Sequence, residues 1–313
     1  MKQHTATKMA EDFVFLEGPK WHGDRLWVSD VFDHKIWCVA LDGSRELVCE
    51  VPHRPSGLGF HPDGTPLVAS SKDYRLYRIE AGQLVEHADF NGLVAGDVND
   101  FAVDRAGRAY VGNFGYDYDG GAPRKDTDIH RVSLDGRIEV AASGLAFPNG
   151  MSILDGGRTL VVAETWACRL TGFDLSGDGQ LSNRRVFADL GHRAPDGICA
   201  DAEGAIWTAC FNTGEFIRVL PGGEITDRIA FDGFGVSCTL GGRTGRRCSA
   251  RSLAVHPRNW PRGDARRRFS ALPSRSPPLR KALRRAPPGA FDRRMQRMLP
   301  VSGGFPQAGA RYS

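Results

Sequence analysis

Five residues at comparable points of the chain could share one piece of chemistry: Glu17, Ser56, Asn99, Asn149 and Asp196. Each stands just before a short apolar run, usually with glycine next, as in Glu17-Gly18, Ser56-Gly57, Asn149-Gly150 and Asp196-Gly197. They are 39, 43, 50 and 47 residues apart. Glu17, Asp196, Asn99 and Asn149 together offer two carboxylates and two amide oxygens. Such an all-oxygen set suits a hard divalent ion, Ca²⁺, Mg²⁺ or Mn²⁺, and suits Zn²⁺ less well. Four protein donors leave positions for water and substrate, so the ion could polarise a carbonyl or phosphoryl oxygen and activate water. Asp196 could serve both as ligand and as general base. Taken singly, Asn149-Gly150 and Asp196-Gly197 are also common turn dipeptides, and only their shared register argues for more.

The elements that would bring these residues together recur with the same period. About ten residues after each start comes a second apolar segment: LWVSD at Leu26, PLVAS at Pro66, AYVGN at Ala109, LVVAE at Leu160 and IWTAC at Ile206. Turn residues separate the two, as in Asp63-Gly64 and Asp155-Gly156-Gly157. A third segment begins at Lys35, Arg75, Asp128, Arg169 and Glu215, and a short fourth can be placed after the next turn. Four short strands every 40 to 50 residues is the pattern of a β-propeller, whose blades bury their faces only by stacking in a ring. The starts of the innermost strands line the axial tunnel, so the five residues would converge there. The expected fold is all-β, a six-bladed β-propeller with the sixth blade truncated or disrupted. The mean spacing puts a sixth inner strand at Gly235 to Leu240, and no second strand is legible near residue 250.

The C-terminal quarter of the chain is different in kind. Between Gly241 and Ser313, seventeen Arg and one Lys stand against two Asp, and nine of the 18 prolines fall there. The net charge of +4 therefore conceals an acidic body and a basic irregular tail. The tail could be an arm for nucleic acid or acidic membrane, with few aromatics to help. It could be a solvated disordered segment. The preferred reading is out-of-frame translation of GC-rich coding: one frame over, Arg247-Cys248-Ser249 allows Thr-Leu-Phe, a strand pattern where one is missing. The boundaries expected are a disordered N-terminus at 1–11, the propeller at 12–242 and the tail at 243–313.

Other chemistry is not indicated. His22, His53, His61, His87, His130 and His192 show no zinc-binding spacing, and no GxSxG or phosphate loop occurs. Seven scattered cysteines without a CxxC pair read as reduced thiols of a cytoplasmic protein. No apolar run is long enough to span a membrane, and no secretory leader is expected. The loop Gly112 to Gly121 could cover the tunnel mouth. Lys72, Arg124 and Lys125 could steer an anionic substrate, against the simpler reading of a solvated face.

FLEGPKW, NDFAVDRAGRAYVGNFG, LAFPNGMSI, LVVAETWACRLTGFDL, PDGICADAEGAIWTA and CTLGG resemble the gluconolactonase/regucalcin-like family over about residues 12 to 242. The resemblance implies a six-bladed propeller with an axial divalent metal, often calcium, that hydrolyses lactones or related esters. It places the metal ligands on Glu17, Asn149 and Asp196, with Asp196 the proposed base and Asn99 on the substrate or metal side. Sugar-lactone members carry an arginine two residues before that asparagine, where this chain has Asp97. The resemblance also implies ring closure by an N-terminal strand, here Asp12 to Leu16, against the last blade. The function expected is a metal-dependent, lactonase-type carboxylic ester hydrolase acting on a small molecule, with calcium first and magnesium, manganese or zinc behind it. No membrane or nucleic-acid partner is expected. The alternative is a non-catalytic or inactive truncated propeller.

Overall fold

The computed structural model describes residues 1–231, 233–241, 249–255 and 297–300, the last two stretches as strand backbone. A short first strand, β1 (Lys2–His4), precedes five sheets built on one plan. Blade one is β2 (Leu16–His22), β3 (Arg25–Asp30), β4 (Lys35–Val39) and β5 (Arg45–Glu50). Blade two is β6 (Pro55–Phe60), β7 (Pro66–Ser70), β8 (Arg75–Glu80) and β9 (Gln83–Asp89). Blade three is β10 (Val98–Val103), β11 (Ala109–Asn113), β12 (Thr127–Val132) and β13 (Ile138–Leu145). Blade four is β14 (Pro148–Leu154), β15 (Thr159–Glu164), β16 (Arg169–Leu175) and β17 (Leu181–Asp189). Blade five is β18 (Pro195–Ala200), β19 (Ile206–Cys210), β20 (Glu215–Val219) and β21 (Ile225–Ala230). Each is an antiparallel meander in chain order.

The hairpins form where turn chemistry allows. Between β6 and β7, Gly64 takes a φ of +89° and the Asp63 carboxylate accepts the Thr65 N–H at 2.8 Å. The core is divided among the blade interfaces. Ile36, Leu58 and Val68 pack between blades one and two, and Leu76, Phe101 and Val111 between two and three. Tyr110, Met151 and Leu160 fill the next interface, and Leu170, Ile198 and Ile217 the one after. Each blade is thus a wedge whose two apolar faces belong to different clusters, the architecture of a β-propeller. No helix of the described residues is long and apolar enough to cross a membrane.

Among the described residues five blades are complete, not six, where a ring of six with a truncated or disrupted sixth was expected. The sixth position holds a three-stranded sheet of β22 (Phe234–Gly241), β23 (Ser249–Val255) and β24 (Arg297–Pro300). Strand β22 lies between β18 and β2, where a sixth innermost strand belongs. Strand β23 corrects the reading that no strand starts near residue 250. The three readings of the 243–313 tail otherwise fall outside the described residues.

The N-terminus departs from expectation twice. Lys2–His4, within the stretch expected to be disordered, pairs in parallel with the outer edge of blade five at β21. His4 Nε2 lies 2.7 Å from the Asp227 carboxylate, which fixes that register. Among the described residues, Asp12 to Leu16 makes no pairing with the sixth sheet. Instead the Asp30 carboxylate accepts the Val14 and Phe15 N–H groups at 2.9 and 2.7 Å, which anchors the chain as it enters β2.

Candidate metal and substrate site

The innermost strands share a local irregularity at one register. In β6, β10, β14 and β18 two residues oppose one on the second strand, at Ser56-Gly57, Asn99-Asp100, Asn149-Gly150 and Asp196-Gly197. In β2 the bulge falls one residue later, after Glu17. A bulge bends the strand and re-aims its side chain. The consequence here is convergence: Glu17, Ser56, Asn99, Asn149 and Asp196, from five blades, line one cavity. The glycines that follow have a packing role. A Cβ on Gly150 would stand 2.5 Å from the Ile198 nitrogen and 2.7 Å from the Asp196 oxygen, so only glycine lets β14 and β18 approach so closely. The Asn-Gly and Asp-Gly pairs are strand bulges at the axis, not turns.

The polar groups form a chain around the tunnel. Ser56 Oγ donates to Asn99 Oδ1 at 2.8 Å, and Asn99 Nδ2 donates to Asn149 Oδ1 at 3.0 Å. Asn149 Nδ2 donates to Thr165 Oγ1 at 3.2 Å, and that hydroxyl donates to the Pro195 carbonyl at 2.8 Å. Thr165 thereby couples the orientation of Asn149 to the backbone next to Asp196. Asp196 Oδ1 is buried with no hydrogen-bond partner.

A third acid sits beside these. Asp100 occupies the position held by glycine in the other blades, against Gly57, and its buried Oδ1 also has no partner. Burial, then the charges of Asp196 and Asp100, push the Glu17 carboxyl well above the usual carboxylate range. Burial and then Asp100 do the same to Asp196, with the Asn149 amide opposing. Asp100 is raised by burial, opposed by Lys20. Three enclosed carboxyls short of countercharge, two of them with an unpartnered oxygen, are an environment that a cation would relieve. An amide oxygen that accepts one hydrogen bond keeps a second lone pair. The donor set therefore fits a hard divalent ion. Among the described residues no three His, Cys, Asp or Glu side chains gather in metal-ligand arrangement, so any such site must count the amides.

Above this layer the cavity wall is aromatic. Phe114 and Phe147 stack at 4.4 Å, and Phe147 meets Trp166 at 5.1 Å. The loop expected over the mouth contributes Phe114, Tyr118 and Asp119 to the lining. Lys72 does not steer anions from a free position, because its ammonium binds Asp97 at 2.6 Å and Asp119 at 2.9 Å. The Arg124 guanidinium lies 3.8 Å over the Trp166 ring.

All four residues expected as ligands, and Ser56 with them, line this cavity. Sequence reasoning missed Asp100, Thr165, Phe147 and Trp166. A signal existed for Asp100, since it breaks the glycine pattern at an axial position. None existed for Thr165, whose role depends on contacts between blades.

Residues 15–248 match the family model described as the SMP-30/Gluconolactonase/LRE-like region. A 6-deoxy-6-sulfogluconolactonase from Pseudomonas putida is 27% identical over 194 residues, covering 60% of this chain and 64% of that protein. Regucalcin from Danio rerio is 30% identical over 126 residues, 39% of this chain and 42% of that one. The chain thus spans less than two thirds of the length of these curated relatives. Among solved structures, a calcium-binding protein, regucalcin, from Agrobacterium tumefaciens aligns over 97% of this chain and 98% of its own with a TM-score of 0.71 at 19% identity. A gluconolactonase from Xanthomonas campestris aligns over 80% and 85% with a TM-score of 0.66 at 22% identity. At these identities the structural likeness shows a shared fold.

Proposed function

Because the chain belongs to the SMP-30/gluconolactonase/LRE-like family, we propose that it is a metal-dependent hydrolase of lactones or related esters. The observation that carries this is the meeting of Glu17, Asn99, Asn149 and Asp196 in one cavity, with Asp196 Oδ1 buried and unpartnered. Glu17, Asn99, Asn149 and Asp196 would hold the ion. Their oxygen-only character favours calcium, with magnesium or manganese next and zinc last. Bound there, a divalent ion supplies Lewis-acid polarisation of a carbonyl and acidifies water.

The remaining work falls to the chain. Asp196 Oδ1 takes the proton from the attacking water as general base. Asn99, linked to both Ser56 and Asn149, orients the substrate carbonyl. Thr165 positions Asn149 and does not itself react. The aromatic wall excludes bulk water from the reacting centre. The related lactonases support the reaction class, and the related calcium-binding protein supports the metal. A cytoplasmic setting belongs to the same proposal, consistent with free thiols at Cys38, Cys49, Cys168, Cys199, Cys210 and Cys238.

The test is thermal unfolding of chelator-treated protein with and without Ca²⁺, alongside pH-stat assays on simple lactones. Ca²⁺ at about one hundred times its dissociation constant should stabilise the fold by about 2.7 kcal/mol. Asp196→Asn should abolish turnover and weaken that gain. Stabilisation without turnover of any lactone or ester would leave the non-catalytic binding module. No response to Ca²⁺, Mg²⁺ or Mn²⁺ would remove the metal-site reading altogether.

A further inference from the structure

The register that gathers the donors also sets a second tier two residues earlier, just before the inner strands of blades one to four: Phe15, Arg54, Asp97 and Phe147, all lining the cavity. We propose, on the premise of the hydrolase reading above, that this tier selects a neutral lactone or ester bearing an apolar arm, and disfavours polyhydroxylated or anionic sugar lactones.

The charges of the tier are already matched. Arg54 donates to Asp119 at 2.7 Å, and Lys72 bridges Asp119 and Asp97 at 2.9 and 2.6 Å. With its carboxylates ionised around a divalent ion, the cavity has no cation in excess. Glu17, Asp196, Asp97 and Asp119, with Asp100 beside them, offset Arg54, Lys72, the metal and the Arg124 guanidinium over Trp166. A sulfonate or carboxylate on the substrate would enter without a partner, and charge burial without pairing is strongly unfavourable.

On the aromatic side of the cavity the polar groups nearest a sugar ring are already engaged. The Trp166 indole N–H is given to the Tyr116 hydroxyl at 3.0 Å, and the amides of Asn99 and Asn149 are bonded to each other. A sugar ring would bury several hydroxyls against Phe15, Phe114, Phe147, Trp166 and Phe211, each losing its hydrogen bonds to water.

The aromatic side of the tier is built at a backbone cost. Phe147 has a φ of +60°, a left-handed conformation that bulky residues rarely adopt. Its carbonyl is held by the Thr165 N–H at 3.2 Å, and the neighbouring Ala146 carbonyl by the Trp166 N–H at 3.3 Å. Glycine would relieve the strain, so what the position retains is the ring. That ring stands between Phe114 and Trp166, a continuous apolar face for a flat or aliphatic arm.

The test compares kcat/KM of the Ca²⁺-loaded protein on γ-butyrolactone, γ-decalactone, dihydrocoumarin, glucono-δ-lactone and a sulfonated gluconolactone. The hexyl arm of γ-decalactone should raise kcat/KM at least about tenfold over γ-butyrolactone, chiefly through KM, since one fully buried methylene is worth about fourfold. The two sugar lactones should be the poorest substrates. Phe147→Ala and Phe147→Leu should lower kcat/KM on γ-decalactone far more than on γ-butyrolactone and so erase the gain from the arm, a split that general unfolding would not produce. A preference for either sugar lactone overturns this specificity and leaves the hydrolase standing. If no lactone is hydrolysed, the hydrolase reading fails. Calorimetric binding of hexyl-γ-lactam against gluconolactam then decides the specificity alone: tighter hexyl-γ-lactam supports it, and tighter gluconolactam overturns it.

Discussion

Replacing Glu164 with glutamine should loosen blade four and the approach to Asn149 in a pH-dependent way. Glu164 ends β15 and is wholly buried. Its carboxylate accepts the Ala146 N–H at 2.9 Å, the Thr171 hydroxyl at 2.5 Å, Arg169 at 2.9 Å and Arg184 at 3.2 Å. Ala146 leads directly into Phe147 and Asn149. Breaking a fully buried ion pair costs about 3–5 kcal/mol. Both arginines are about one-third exposed, at 35% and 36%, and can recover water, and glutamine keeps one acceptor oxygen. The cost of Glu164→Gln should therefore be about 2–3 kcal/mol, a fall in Tm of about 4–8 °C for a domain of this size. Burial alone would raise the Glu164 carboxyl, but Ala146, Thr171 and Arg169 hold it below its ordinary value. A lowered folded-state pKa means that the contribution is full above the unfolded value of about 4.3 and is lost as pH falls through the folded value. Calorimetry of both proteins should show a wide Tm gap at neutral pH that closes below about pH 4. A gap of about 1 °C or less at neutral pH, or one unchanged in acid, would refute the charge-anchored account.

Two further substitutions probe the ring itself. Gly150→Ala drives a Cβ onto the β18 backbone and should lower the denaturant midpoint by an amount equal to about 1–3 kcal/mol; an unchanged midpoint would mean that the two axial strands can spread. His4→Ala removes the contact to Asp227 and should cost about 1 kcal/mol, with faster amide exchange at Asp227–Ile229; unchanged exchange would mean that β1 does not protect that edge.

The repeat was legible because propeller geometry imposes a period on composition. Every second and third strand of blades one to five begins within one residue of its sequence signal, from Arg25 to Glu215. The axial residues were legible for the same reason: Glu17, Asn99, Asn149 and Asp196 share a register. Features outside the period were not legible. Lys2–His4 is polar and pairs in parallel with a strand more than two hundred residues away, so no local pattern announces it. Thr165 and Glu164 look like ordinary strand-end residues, and their roles come from Pro195 and Ala146 in neighbouring segments. Phe147 acts through a left-handed backbone that its type disfavours, which sequence preference argues against.

The division of labour around the axis bears on how the incomplete sixth sheet and the candidate chemistry can coexist. Blades one, three, four and five supply the four donors, and blade two supplies Ser56, which orients Asn99. At the same register β22 presents Val236, fully buried against Phe15 and Phe211. Next to it Ser237 fills the space left by Gly197 of β18. The sixth position thus contributes apolar wall and strand spacing rather than a ligand. Its inner strand has to be present, because without it Phe15 and the β18 backbone would lose a face, and Glu17 and Asp196 flank that gap. Strand β22 packs against both flanking donor strands, β18 and β2, so the inner strand is the part of the sixth sheet that spaces the axis.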